Sequence, residues 1–124
     1  MKSLLGKKIG MMQLFDQQTG QLSPVTVLEV GPCPVVQVKS EETDGYNAVQ
    51  IGFGTARPST TTLPQRGHFK KAGVMPRKVL REVRLDSKPE YTVGQELTVE
   101  LLEGVNKVHV TGVTKGRGFQ GGIK

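Results

Sequence analysis

The sequence has no tryptophan and one cysteine, Cys33. A lone thiol cannot close an internal disulfide or build a metal cage, so a reducing compartment is the simpler reading. Alanine occurs 3 times against 16 valines, which favours strands and excludes a helical bundle. No uncharged stretch reaches the roughly 18 residues that a membrane-spanning helix needs. The opening Met1-Lys2-Ser3-Leu4-Leu5-Gly6-Lys7-Lys8 lacks the apolar run of a secretory signal. Catalytic apparatus is also missing. No serine sits in a nucleophile elbow, and no pair of acids has a general acid–base arrangement. His68 and His109 have no cysteine or acid at ligand spacing, which argues against a metal site. Cys33, between two prolines, has no basic neighbour in sequence to activate it and reads as structural.

What is present suffices for a core. Leu, Ile, Val and Phe make up 34 of the 124 residues, above the disordered range and enough for one domain. The 16 glycines and 7 prolines imply many turns. Leu4–Phe15 reads as a first strand, closed by the turn Asp16-Gln17-Gln18-Thr19-Gly20. Val25–Val30 is a second, and Gly31-Pro32-Cys33-Pro34 marks a bulge, corner or edge before Val35–Val38 resumes. Asp44-Gly45, between Val35–Lys39 and Tyr46–Phe53, has the signature of a type I′ hairpin. Val79–Leu85 is a further strand. Leu97, Val99 and Leu101 alternate with polar residues, as do Val108 and Val110, and Glu103-Gly104-Val105-Asn106 links the two as a hairpin. One helix is expected over Pro64–Ala72, stopped by Gly73 and weakened by Gly67. The segment from Arg57 to Thr62 reads as a mobile loop. About six strands and one short helix, joined by hairpins, predict a small antiparallel barrel, because closure removes exposed edges.

Net charge is +6, and the charges are segregated. Eight cations lie from Arg57 to Arg84 against the single acid Glu82. Asp86, Glu90, Glu96, Glu100 and Glu103 then face only Lys88, and from Gly104 onward there are four cations and no acid. Such a pattern predicts one positive face able to neutralise phosphates. The plain alternative is a solvated charge pattern that serves solubility.

Two stretches concentrate the chemistry. In Thr114-Lys115-Gly116-Arg117-Gly118-Phe119-Gln120-Gly121-Gly122, glycines permit close backbone approach, Lys115 and Arg117 meet phosphates, and Phe119 can stack on a base. The alternative is a floppy basic tail. Its G-x-G-x-x-G spacing does not make a dinucleotide fingerprint, which needs a following helix and an acid about 20 residues on. The second stretch is Arg66-Gly67-His68-Phe69-Lys70-Lys71, followed by Arg77 and Lys78, and it suits a phosphate backbone more than a base code. Phe69 reads as a core anchor for the helix in preference to a stacking platform.

Several segments taken in order resemble one family. Leu4-Leu5-Gly6-Lys7-Lys8-Ile9-Gly10-Met11 resembles the opening of the bacterial-type ribosomal protein three of the large subunit, the universal L-three family. Pro24–Glu29, Asp44-Gly45-Tyr46, Gly67–Val74, Tyr91–Gln95 and Val110–Phe119 are similar to later segments of it. The resemblance implies a β-barrel of the translation-protein type over residues 1–113, with a helical insertion at about 63–73. Residues 114–124 would begin a basic, glycine-rich extension that threads between rRNA helices. It implies a cytoplasmic, ribosomal, non-enzymatic protein without cofactor, metal, membrane or small-molecule substrate. That protein would bind 23S-type rRNA near its 3′ end, nucleate assembly and adjoin neighbouring large-subunit proteins. The RNA-binding residues expected are Lys7, Lys8, Arg66, His68, Lys70, Lys71, Arg77, Lys78, Arg81, Lys115, Arg117, Phe119 and Lys124. Family members continue well beyond Lys124, so a truncated chain is expected, with strand edges free to self-associate. The competing function is a protein–protein module, its acidic 86–103 stretch meeting a basic partner.

Overall fold

Alternating side chains on either side of a tight turn make a hairpin, and the first thirty residues do so. The computed structural model describes residues 3–123. Strand β1 (Gly6–Phe15) pairs antiparallel with β2 (Leu22–Val30), with a register shift between Lys8 and Gly10. The turn is closed by the Gly20 amide on Asp16 O at 2.8 Å and by the Gln18 amide on Asp16 Oδ1 at 2.9 Å. That second bond holds the Asp16 carboxyl below its ordinary pKa. Pro24 is tolerated inside β2 because the strand has a single neighbour.

The second sheet has the order β5-β4-β3-β6. Its members are β3 (Cys33–Lys39), β4 (Ala48–Thr55), β5 (Arg77–Arg84) and β6 (Glu96–Leu97). The expected interruption is present as the corner Gly31-Pro32 between β2 and β3, which belong to different sheets, while pairing resumes at Cys33 and a register shift lies later, between Val35 and Gln37. Pro34 sits in the ladder only against Glu96, where β4 has no partner for it. Cys33, Val35, Val49, Ile51 and Leu97 form the buried core, with Leu4, Leu5, Phe53 and Val83 packed against it. Leu5 ties the hairpin to the sheet. Its carbonyl accepts from the Gly31 amide at 3.3 Å and from the Cys33 thiol at 3.4 Å. Burial pushes the Cys33 thiol pKa up, as suits an inert structural cysteine.

Helix α2 (Leu63–Ala72) lies within a residue of the expected range, with a proline in its first turn. Gly73 ends it at φ 71°, a left-handed conformation that glycine adopts without Cβ strain. Phe69 is 2% exposed and is the anchor expected of it. The mean hydropathy of the helix is low, so this ring, rather than a broad apolar stripe, seats the helix.

The fold departs from expectation in five places. Asp44-Gly45 does not make a type I′ hairpin: Glu41–Asp44 forms the one-turn helix α1, and Gly45 caps it at φ 79° with its amide on Glu41 O. The Leu97–Leu101 alternation yields two strand residues, then a 3-10 turn over Val99–Leu102. Val108–Thr111 is not a strand, and the second expected hairpin is absent among the described residues. Both segments alternate well, but alternation supplies a face and not a partner for the backbone. The 57–62 loop carries a 3-10 turn, Pro58–Thr60. There Thr60 and the buried Thr61 both donate their hydroxyls to Arg57 O, at 3.0 and 2.9 Å. Finally, the six strands form two antiparallel sheets, and no closed barrel is present among the described residues. Strands β1 and β2 pair only with each other, and β5 and β6 end as edges.

Candidate nucleic-acid interface

Ten of the thirteen expected RNA-binding residues separate into three places. Lys70 and Lys71 are exposed in the last turn of α2, where a cation favours the helix dipole. In the same helix, Arg66 and His68 are half-buried. His68 Nε2 donates to Gln50 Oε1 at 2.8 Å and so pins the helix to β4, while Arg66 Nε is buried without a partner. His68 is therefore engaged with the fold through Nε2, and both it and Arg66 are only partly accessible.

Lys115, Arg117 and Phe119 lie in the exposed stretch after the last 3-10 turn, which has no strand or helix. The Phe119 ring is 97% exposed, and Gln120 Nε2 donates to Arg117 O at 2.7 Å. The glycine-rich end is thus not packed into the interior. Lys124 lies outside the described residues.

The third place joins residues far apart in sequence. Lys7 on β1 and Arg77 and Lys78 on β5 line one cleft of about 510 Å³ at the junction of hairpin and sheet. Glu29, Pro32, Phe53, Thr55 and Val79 complete its side-chain walls, and Gly6, Gly31 and Gly54 contribute bare backbone. The Arg77 stem packs on Gly52, where an added Cβ would lie 2.9 Å from its Cγ. Lys8 and Arg81 do not line this cleft. Arg81 stands opposite Ile51 on the outer strand and is exposed.

Sequence reading missed two groupings. Glu29 and Phe53 belong to the cleft, and the one available signal was the cross-strand pairing of Glu29 with Lys7 in a β1–β2 hairpin. The other grouping is a clamp on the sheet's outer edge. Lys39 Nζ lies 3.0 Å from Glu82 Oε1, Tyr46 donates to Glu82 Oε2, and Lys39 and Arg84 each sit over the Tyr46 ring. The Tyr46 hydrogen bond, followed by Lys39, lowers the Glu82 pKa, and Tyr46, followed by Glu82, raises that of Lys39. This clamp uses three charges for structure. Among the described residues no group of acids, histidines or cysteines is arranged to hold a metal, and no helix is long and apolar enough to cross a membrane.

The comparison that decides the family is one of sequence. The chain is 51% identical over 123 residues to the large ribosomal subunit protein uL3 of Corynebacterium diphtheriae, covering 99% of this chain and 56% of the relative. It is 54% identical over 123 residues to that of Natranaerobius thermophilus, covering 99% and 58%. With that of Alkaliphilus metalliredigens it is 50% identical over 124 residues, covering 100% and 59%. The chain belongs to the uL3 family. No protein-family model matches it. The chain thus spans a little over half the length of these uL3 relatives, and the segments that carried the family resemblance lie within the matched region. uL3 is a family of ribosomal proteins and not of enzymes, in keeping with the expectation of a non-catalytic chain.

Proposed function

We propose that this uL3 chain is a structural component of the large ribosomal subunit in the cytoplasm. In this reading it binds 23S-type rRNA near its 3′ end and helps nucleate assembly beside neighbouring large-subunit proteins. The observation that carries the reading is family membership at 50–54% identity over nearly the whole chain. The exposed cations support it. Lys7, Lys8, Lys70, Lys71, Lys78, Arg81, Lys115 and Arg117 are all accessible, and clustered cations that displace counterions are how proteins hold a phosphate backbone. Arg77 joins them at the cleft, Phe119 offers a stacking ring, and Arg66, His68 and Lys124 are the remaining members of the proposed set.

The domain division follows the same reading. Residues 1–113 form a barrel domain that closes when further strands pair with the free edges of the two sheets, and 114–124 begin the basic extension. Without such strands, those edges and the exposed apolar side chains of the hairpin favour self-association.

Titration of a large-subunit rRNA fragment at several salt concentrations tests the binding. Log affinity should fall with log salt with a slope of about −0.9 per phosphate contact on duplex and about −0.7 on single strands. Salt-independent binding, or no binding at low salt, rejects the proposal.

A further inference from the structure

The cleft between hairpin and sheet has more than charge. Its volume of about 510 Å³ lies within the roughly 300–1,000 Å³ typical of ligand sites. Three cations, Lys7, Arg77 and Lys78, share it with one carboxylate, Glu29, and with the apolar groups of Pro32, Phe53 and Val79. Arg77 Nε is buried without a hydrogen-bond partner, and the only ion pair among the described residues is Lys39–Glu82. All three cleft cations therefore lack a carboxylate partner. A buried donor left unpaired is costly, and an anion in the cleft would relieve the charge it carries.

We infer that the cleft seats one unstacked nucleotide of a single-stranded RNA segment, its phosphate held by Lys7, Arg77 and Lys78 and its base against Phe53. The inference rests on the RNA-binding reading above and adds to it a place and a base preference. Single-stranded loops and bulges offer splayed bases, and cations beside one aromatic ring are the usual means of holding them. Gly6, Gly31 and Gly54 line the cleft with backbone alone. Glu29 sets the preference. Its carboxylate repels the phosphate and only accepts hydrogen bonds, so it meets the donors of the base. Guanine presents two such donors side by side on its Watson–Crick edge, and uracil presents one. The cleft therefore prefers guanosine over uridine.

Fluorescence anisotropy on the whole chain tests this with two probes: a short oligouridine, and the same strand with one central guanosine. The guanosine strand should bind roughly tenfold tighter, the worth of one good bidentate base contact. Glu29→Gln should erase that difference. The double change Lys7→Ala with Lys78→Ala should weaken both strands and lower the salt slope by about 0.7 per lysine. Arg77 is left intact because its stem packs on Gly52. Equal affinity for the two strands overturns the inference. So does full affinity in the Lys7/Lys78 variant when Lys70→Ala with Lys71→Ala weakens binding, and RNA binding itself then stands. No binding to either strand or to the rRNA fragment overturns both readings together.

Discussion

The Tyr46 hydroxyl donates to Glu82 Oε2 at 2.7 Å, joining residues 36 positions apart in sequence. The bond fastens the connection just before β4 to the outer strand β5, and Lys39 completes it from β3 through the other carboxylate oxygen at 3.0 Å. Tyr46→Phe keeps the ring under Lys39 and Arg84 and removes only the hydroxyl. It should lower unfolding stability by about 0.5–1.5 kcal/mol, the usual net worth of one hydrogen bond. Urea unfolding of the two proteins measures this. An unchanged midpoint would show that the bond carries no weight.

The same clamp sets a pH dependence. Glu82 is held below the ordinary glutamate range, so its contribution is fully present above that range and is lost as pH falls through its folded value. Lys39 is held above the ordinary lysine value. Its contribution is present below that value and is lost as alkali titrates the folded amine. Both contribute at neutral pH. The stability gap between the wild type and Glu82→Gln should therefore be larger at neutral pH than near pH 3, below the roughly 4.3 of a free glutamate. Denaturant curves at the two pH values decide it. A gap that stays constant contradicts the assignment.

Phe69 is the single buried side chain of α2 among the described residues. Removing a fully buried phenylalanine ring typically costs about 3–5 kcal/mol, through lost transfer energy and the cavity left behind. Phe69→Ala should reach that range and release α2 first, seen as faster amide hydrogen exchange over Leu63–Ala72. A loss under about 1 kcal/mol would mean that the helix is held by other contacts.

Gly52 and Gly10 make a controlled pair. A Cβ at Gly52 would lie 2.9 Å from Arg77 Cγ and 3.3 Å from Leu80 Cδ2, whereas one at Gly10 would meet nothing within 4 Å. Overpacking of this kind costs about 1–3 kcal/mol. Gly52→Ala should show that loss, and Gly10→Ala should stay within about 0.5 kcal/mol of the wild type. Thermal unfolding compares them directly. Equal behaviour would show that the Arg77 stem shifts aside without cost.

Local signals located most of the fold. The β1 and β2 strands, the corner at Gly31-Pro32, the body of β4 and β5, and helix α2 with its Phe69 anchor were all legible from alternation, proline position and end caps. What failed was wherever a second segment had to supply the answer. Leu97 pairs with Cys33, but β6 ends there, so Val99 and Leu101 turn away despite an alternating pattern. Asp44-Gly45 suits a tight hairpin, yet Asp44 closes a helical turn on Ser40 O and Gly45 caps it. The cleft was legible only in pieces. Linear charge counting grouped Arg77 and Lys78 with the cations between Arg57 and Arg84 and left Lys7 out of that group, and only the packing of hairpin on sheet brings them together. Barrel closure was out of reach for the same reason, since it depends on partners for strand edges.

Phe119 is 97% exposed and anchors nothing in the fold. It stands between Lys115 and Arg117 on one side and Gly121 and Gly122 on the other, where the backbone can lie close to a partner. Base–aromatic stacking is worth about 1–3 kcal/mol per base by alanine substitution. Phe119→Ala should therefore weaken binding to an rRNA fragment by roughly fivefold or more, with the salt slope unchanged, because no charge is removed. Lys115→Ala with Arg117→Ala should instead flatten the slope. Neither variant should move the unfolding midpoint, since these side chains are exposed and lie outside every strand and helix. A Phe119→Ala protein that binds with full affinity while the charge variant does not would reduce this stretch to an electrostatic tether.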